Sequence, residues 1–348
     1  MGTGQRSPNS HTVGGGDGCN VNWSPWHDRL HRHLLQRPEL LPKGQAILLA
    51  VSGGQDSMAL LGLARDLASR HQWMLHVWHG NHGWHGAAQR SCDELKAWCQ
   101  KQDVVILSDT ANPEDVDSEA KAREWRYDCL ETTAKRLQAV VATAHTATDR
   151  TETLLLQMAR GTDLRGLCSL REQRPLRDHS ANRVQLSRPM LIFQRNNTAE
   201  ICRALNLPTW IDPTNTSPSF ARNRIRNEVL PVLDAIYPGC DARMSNLSER
   251  LSKIHEIQQE LVDQHLKEIE TSNQKLRELI KNSSLDVRRI LMNRWITQQG
   301  APQLNANELD HLCRRLGAHQ PPGRADLAKG WQISWTKHSL KLDAPKSK

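Results

Sequence analysis

Ala46-Ile47-Leu48-Leu49-Ala50-Val51 runs directly into Ser52-Gly53-Gly54-Gln55-Asp56-Ser57, and this stretch decides the fold. Its first half is an unbroken apolar run of buried-strand length. Its second half places two glycines among hydroxyl, amide and carboxylate side chains. It opens an apolar-periodic segment, Asp56–Arg70, carrying Met58, Leu61, Leu63 and Leu67. A strand, a glycine turn and a helix are what an α/β sheet uses to seat a polyanion, at a strand's carboxyl end and a helix amino terminus. Gly53 and Gly54 let the backbone come close and turn its N–H groups toward an anion. Ser52 and Ser57 add hydroxyl donors. Asp56 would repel a bare phosphate, but its carboxylate makes sense when Mg²⁺ bridges it to the phosphates. No GxxxxGK[ST] is present, so this is not a Walker loop. The bland alternative is a tight turn capped by Asp and Ser. The full hexapeptide in this context favours nucleotide binding by Ser52, Gly53, Gly54, Gln55, Asp56 and Ser57.

Strand-like and helix-like segments alternate around this point. A helix is expected over Trp26–Leu35. Strands are expected at Met74–Trp78, Val104–Leu107 and Ala139–Thr143, and helices at Ala87–Gln102, Ser118–Leu137 and Asp149–Arg160. Such alternation predicts an α/β fold with a parallel sheet and crossover helices. Residues 161–188 read as Arg-rich loop, Thr198–Asn206 as a short helix ended by Pro208, and Asp212-Pro213-Thr214-Asn215 as loop. One long helix is expected from Asp241 to about Ile280. Its stripe of Met244, Leu247, Leu251, Ile254, Ile257 and Leu261 predicts a helix-packing face. Further helices fit Leu285–Gln299 and Asn307–Leu316, and Gly330–Leu342 alternates like one or two strands. The expected organisation is a flexible tail over 1–22, an α/β domain over 23–235 and a smaller, mainly helical domain over 236–348.

The 348 residues fit two domains. The net charge of +8 fits a polyanionic partner. No run approaches the ~18 apolar residues of a membrane span, so no membrane partner is expected. Eleven tryptophans stand against two phenylalanines and two tyrosines, a bias without a physical account. The eight cysteines contain no CxxC pair, which argues against ribbon zinc or iron–sulfur sites. Scattered cysteines in a chain this long read as reduced thiols of a cytoplasmic protein, and residues 1–25 show no secretory signal.

The Ser-Gly-Gly-x-Asp-Ser loop after the first strand resembles that of the N-type ATP pyrophosphatase, or PP-loop, superfamily. Further stretches are Asn81-His82-Gly83, Glu119 to Tyr127 (EAKAREWRY), Ala144 to Thr153 (AHTATDRTET), Arg160-Gly161, Leu164-Arg165-Gly166-Leu167, Arg188-Pro189 and Arg222 to Glu228 (RNRIRNE). In this order they are similar to the tRNA(Ile)-lysidine synthase family, strongly over about 45–235. The resemblance implies a PP-loop catalytic domain followed by a tRNA-binding domain. It implies ATP and Mg²⁺ as cofactors, with tRNA(Ile) of anticodon CAU and free L-lysine as substrates. ATP would adenylate the C2 oxygen of the wobble cytidine, and the lysine ε-amine would then displace AMP to form lysidine.

His145, Asp149 and Glu152 are spaced four and three apart, so they share one helix face. Together with Asp56 they are the expected catalytic residues. The carboxylates of Asp149 and Glu152 suit a lysine ammonium, a metal or the proton lost when the amine attacks; His145 suits substrate orientation. A helix-terminal charge and a packed histidine are the bland readings. Where the family has two adjacent acids, this chain has Thr148-Asp149, and Gly83-Trp84-His85 also departs from the family pattern. Arg123, Arg126, Arg160, Arg165, Arg222, Arg224 and Arg226 are expected to meet the tRNA. Arg222 and Arg226 align on a helix, and all of Arg222, Arg224 and Arg226 on an extended segment. Dimerisation through the helical half is also expected. The competing readings are a PP-loop tRNA thiolation enzyme, disfavoured by the lack of CxxC, and a non-catalytic nucleotide- or RNA-binding relative.

Overall fold

The computed structural model describes residues 23–81, 86–168, 170–177, 183–210, 221–269 and 273–345. The expected tail over 1–22, the stretch His82–His85 and the loop around Asp212–Asn215 lie outside the described residues.

In chain order the elements begin with α1 (Pro25–Gln36), β1 (Ala46–Ala50), α2 (Gln55–His71), β2 (Met74–Asn81), α3 (Gly86–Lys101) and β3 (Val105–Thr110). Then come α4 (Glu119–Leu137), β4 (Ala139–Ala142), α5 (Ala147–Ala159), α6 (Leu164–Leu167), β5 (Gln173–Pro175), β6 (Gln185–Ser187) and α7 (Arg195–Ala204). The sheet order is β3-β2-β1-β4-β6-β5, with β5 the antiparallel edge and every other pairing parallel. The α/β expectation therefore holds. Strand β2 runs three residues past the expected Trp78, because His79, Gly80 and Asn81 pair with Ser108, Asp109 and Thr110. The Arg-rich stretch after α5 is not all loop: it contributes α6, β5 and β6.

Both faces of the sheet are covered, which explains the unbroken apolar strands. Side chains alternate between two cores along each strand. Ile47, Leu49, Val77 and Ala142 join the core beneath α1, α2 and α3, whereas Leu48, Trp78 and Val141 join Leu130 and Ala134 of α4 on the other side. Helices α2 and α4 end alike, on Gln72 and Gln138 in the left-handed conformation, each leading into the next strand.

After residue 220 the chain is helical. The elements are α8 (Ala221–Arg224), a π-helical segment (Ile225–Val229), α9 (Leu230–Ile236), α10 (Cys240–Ile269), α11 (Asn273–Asn282), α12 (Leu285–Gln298) and α13 (Ala306–Arg315). Of the long helix expected to Ile280, the described parts are α10 and α11, and residues 270–272 lie outside the described residues. A three-stranded antiparallel sheet of β7 (Gly323–Asp326), β8 (Gln332–Trp335) and β9 (Leu340–Asp343) closes the described chain. The expected one or two strands account for β8 and β9; β7 escapes because Gly-Arg-Ala-Asp has no apolar alternation. Leu276, Ile280, Leu291, Met292, Ile296, Leu312, Ile333, Trp335 and Leu340 form a separate core.

Helix α10 serves both parts. Near its start Asp241 accepts hydrogen bonds from Thr148 (2.8 Å) and, at its carbonyl, from Thr151 (2.9 Å) of α5. Near its end Val262, Leu266 and Ile269 enter the second core. Among the described residues the apolar stripe packs only in part: Met244 and Leu251 are half-buried, whereas Leu247, Ile254, Ile257 and Leu261 are 43%, 55%, 56% and 61% exposed. The inward face carries Ser245, Ser248 and His255 instead. Periodicity fixes the phase of an apolar face, not the identity of whatever covers it.

Candidate active site

The phosphate loop crosses from β1 to α2. Gly53 has φ +87°, a conformation that costs any residue with a Cβ. Gly54 caps α2 from extended geometry. Ser57 Oγ donates to the Gly54 carbonyl at 2.8 Å, the Ser52 and Ser57 hydroxyls lie 3.2 Å apart, and Gly54 N–H donates to Ser52 Oγ at 3.3 Å. The loop is thus a small basket of hydroxyls at a helix amino terminus. Trp210 braces it from outside: its backbone N–H donates to the Gly53 carbonyl at 2.9 Å, and its ring lies so close that a Cβ on Gly53 would come within 3.0 Å.

Asp56 lies in the first turn of α2. Its carboxylate pairs with Arg195 Nη1 at 2.9 Å and accepts the Thr198 hydroxyl, both from α7. Burial raises its pKa, against the opposing pull of Arg195 and Thr198. Gln55 turns away from the loop: its amide donates to the Arg195 carbonyl and the Thr198 hydroxyl, each at 2.8 Å, so its side chain anchors α7. Asp56 is one carboxylate at a helix start. No cluster of three or more His, Cys, Asp or Glu side chains able to hold a metal occurs among the described residues. That donor set fits Mg²⁺, which commonly takes one or two carboxylates and completes its shell with phosphates and water.

The second half of the site follows β4. Thr146 and Asp149 form a capping box on α5: Asp149 Oδ2 accepts the Thr146 N–H at 2.7 Å and its hydroxyl at 2.9 Å. This leaves Asp149 Oδ1 for Arg222 Nη2 at 2.9 Å. One turn on, Glu152 is fully buried and accepts Arg222 Nε at 2.7 Å, Arg226 Nε at 2.5 Å and Arg226 Nη2 at 2.9 Å. Burial pushes the Asp149 carboxyl up, but Arg222, His145 and the Thr146 hydrogen bonds outweigh it, so its pKa is lowered. The structure adopts the helical alternative for the Arg222–Arg226 segment. It is not an open basic ridge: Arg222 and Arg226 lie on the carboxylates, while Arg224 points outward and pairs with Glu228.

His145 holds Thr143 Oγ1 at 2.9 Å through Nδ1. Desolvation by the surrounding protein and the nearby Arg188 charge push its pKa down to about 3, so it is neutral near pH 7. Thr148 donates to Asp241 and accepts the Arg195 N–H at 3.3 Å. A carboxylate from α10 therefore stands beside the position where this chain has a threonine. Arg123 and Arg126 are exposed on α4, and Arg123 Nη2 donates to the Tyr127 hydroxyl at 2.9 Å. Arg160 is exposed just beyond α5. Eight residues beyond Glu152, it lies about 12 Å further along the axis of α5; Arg165 is further along the chain, in α6.

The structure thus gathers Asp56 on one strand end and His145, Asp149 and Glu152 on the neighbouring one. Arg188, Arg195, Thr198, Trp210 and Asp241 were not assigned site roles from sequence. They reach the site by folding from remote segments; of them only Arg188 falls in a stretch that the family resemblance marked, Arg188-Pro189.

Residues 27–233 match the PP-loop domain family. Over 93% of this chain and 96% of its relative, the sequence is 50% identical to the tRNA(Ile)-lysidine synthase of Parasynechococcus marenigrum. The chain belongs to the tRNA(Ile)-lysidine synthase family. A second member of the family, from Prochlorococcus marinus, is 40% identical over 92% of this chain and 96% of its own length. Among solved structures, the U34-tRNA thiolase NcsA from Methanococcus maripaludis superposes with a TM-score of 0.54 at 15% identity. That likeness covers 66% of this chain and 80% of the thiolase, and shows the shared fold alone. As a family member the chain is an enzyme that uses ATP through its PP-loop domain.

Proposed function

We propose that this chain joins L-lysine to C2 of the wobble cytidine, position 34, of tRNA(Ile) with anticodon CAU, converting ATP to AMP and pyrophosphate. One observation carries this beyond family membership: β1 and β4 are adjacent and parallel, so the phosphate loop and the His145–Asp149–Glu152 face leave the same sheet edge side by side. A nucleotide and an amine can converge there on one base.

The cytidine C2 oxygen attacks the ATP α-phosphorus and pyrophosphate leaves. The Ser52–Ser57 loop cradles that leaving anion with fixed N–H and hydroxyl donors. Asp56 would hold Mg²⁺ on the phosphates, and the metal would supply charge neutralisation for the leaving group. The lysine nitrogen, as free amine, then forms its bond to C2 while the C2–O bond to AMP breaks. Asp149 and Glu152 give the negative field that draws the lysine ammonium in. A carboxyl with a lowered pKa is a poor proton acceptor, so Asp149 attracts and positions rather than acting as a strong base. Arg222, partly exposed at the mouth of this cluster, releases its carboxylates as the ammonium enters and turns to the RNA. Neutral His145 offers a ring edge for the base. Arg123, Arg126, Arg160, Arg165 and Arg224 face solvent as backbone contacts.

The domains follow as 23–235 for catalysis and 236–348 for tRNA binding, with α10 between them. The exposed Leu247, Ile254 and Leu261 recur every seven residues, a seam that a second copy of the same helix would complete as a homodimer; sedimentation at low and high concentration tests it. No helix among the described residues is long and apolar enough to cross a membrane. The seven described cysteines are all unpaired, which with these substrates supports a cytoplasmic location.

The experiment is a reaction of purified protein with ATP, Mg²⁺, radiolabelled lysine and unmodified tRNA(Ile)(CAU), with initiator methionine tRNA as control. Label in the isoleucine tRNA alone is expected. ATP cleavage without label in RNA would overturn the lysine assignment. Burial pushes Cys99, Cys129 and Cys202 up to about 11 and Cys313 to about 12, which leaves these four thiols protonated near pH 7.

A further inference from the structure

On the face of the sheet opposite α2, Tyr127 of α4 carries an unusual set of neighbours. Its hydroxyl accepts Arg123 Nη2 at 2.9 Å and Arg174 Nη2 at 3.2 Å. Both guanidiniums also lie against its ring, 4.8 and 5.5 Å from the centroid. A third arginine, Arg188, reaches the same phenol from behind. It is 1% exposed, its Nη1 donates to the Arg171 carbonyl at 2.6 Å, and its Nε has no hydrogen-bond partner. The charges of Arg123, Arg174 and Arg188 all pull the Tyr127 pKa down. The remaining contacts of Arg174 are the Pro175 and Leu176 carbonyls, at 2.7 and 3.0 Å. Among the described residues no carboxylate pairs with Arg123, Arg174 or Arg188. Beside them opens a cavity of about 270 Å³, walled by Arg123, Glu124, Tyr127, Arg174 and Arg177. Arg177 is already paired with Asp128 and Glu131.

Guanidiniums converging on one phenol repel one another unless an anion joins them. The planar fork of arginine matches a phosphate oxygen pair. We infer that the Arg123–Tyr127–Arg174 pocket is a phosphodiester site, seating the RNA backbone at or next to the modified cytidine. This rests on the proposed tRNA substrate. The placement fits: β4 and β6 are paired and parallel, and Thr143, two residues before His145, donates its N–H at 3.0 Å to the carbonyl of Ser187, next to Arg188, so a phosphate here lies at the same sheet edge as His145. The ATP phosphates are the other source of such an anion, but they belong to the loop at the start of α2. That helix lies across the sheet, in the core that α4 does not join. Arg174 and Tyr127 are thus positioning residues for RNA, contributed by the edge strand β5 and by α4.

The test measures equilibrium binding of an unmodified tRNA(Ile)(CAU) transcript and, separately, of ATP, to the full chain and its Arg174→Gln variant over a range of salt. Expected is a tRNA Kd raised about tenfold, with the slope of log K against log salt reduced by about 0.7, the contribution of one single-strand phosphate contact. The Kd for ATP stays within twofold. Tyr127→Phe, which removes the hydroxyl that gathers the two arginines, weakens tRNA binding about threefold and leaves the salt slope alone. Should Arg174→Gln fail to fold by circular dichroism, Arg174→Lys decides: it keeps the charge and slope but loses the fork, and the tRNA Kd rises about threefold. An unchanged tRNA Kd, or a loss confined to ATP, overturns the inference. Binding is read without turnover, so failure to insert lysine would refute the proposed reaction and leave this result standing by itself.

Discussion

Replacing Glu152 by glutamine removes one negative charge from the centre of the site. Glu152 is fully buried and faces two guanidiniums, through two hydrogen bonds from Arg226 and one from Arg222. The glutamine oxygen can keep one of these contacts, but its NH₂ group meets an N–H donor where a carboxylate oxygen had been. Breaking a buried pair by neutralising one partner costs about 3–5 kcal/mol, most of it from the charge left behind. Arg226 and Arg222 are partly exposed, so water recovers some of that, and the lower end, about 3 kcal/mol, is expected. For an α/β part of some 150–250 residues, each kcal/mol moves Tm by about 2–4 °C, so the melt should fall by roughly 6–12 °C. Differential scanning calorimetry of both proteins at pH 7 measures it. Arg226→Gln on the Glu152→Gln background should return part of the loss, because the stranded cation goes as well. Below the melt, Glu152→Gln should still form AMP-activated tRNA but need more than tenfold higher lysine for the second half-reaction. A Tm shift under about 2 °C, or an unchanged lysine requirement, would refute the reasoning.

Asp56→Ala should lower ATP-dependent pyrophosphate release by about a hundredfold or more at unchanged circular dichroism; normal release would remove Asp56 from metal bridging. Gly53→Ala puts a Cβ on a backbone with φ +87° and against the Trp210 ring, at a cost of about 1–2 kcal/mol in conformation alone; a KM for ATP raised at least tenfold is expected. His145, with its pKa near 3, should show no imidazole titration by NMR between pH 5 and 8; a midpoint near 6.5 would contradict the burial and charge assigned to it. The lowered Asp149 pKa makes its contribution to stability complete above its unfolded value of about 3.9 and lost as pH falls through the folded one. The acid melt of Asp149→Asn should therefore be less pH-dependent below about pH 4 than that of the parent.

The phosphate loop was legible because its chemistry is local: strand, glycines, hydroxyls and helix occur within a few residues. The His145–Asp149–Glu152 spacing was legible because helical periodicity carries neighbours three and four apart to one face. The arginine partners were half legible. The RNRIRNE segment announced a basic surface, but only folding could show that Arg222 and Arg226 turn inward onto those carboxylates. Arg195 pairs with Asp56 across 139 residues of sequence, beyond the reach of any spacing rule. The three-residue strands β5 and β6 were hidden because so short a strand displays no alternation. The α10 stripe shows the same limit from the other side: the period was right, but among the described residues only Met244 and Leu251 of it are half-buried.

Helix α10 has 30 residues, so it is a rod about 45 Å long. One end is hydrogen-bonded to the helix that carries Asp149 and Glu152, and the other is embedded in the second core. On the proposed function, an RNA gripped at both ends would be measured as a caliper measures a workpiece. The distance from its anticodon to its second point of contact would have to match the span of the jaws before the base could reach the phosphate loop. Seven added residues, close to two helical turns, would leave the orientation of the jaws within about 20° and open them by about 10.5 Å, separating recognition by length from recognition by sequence.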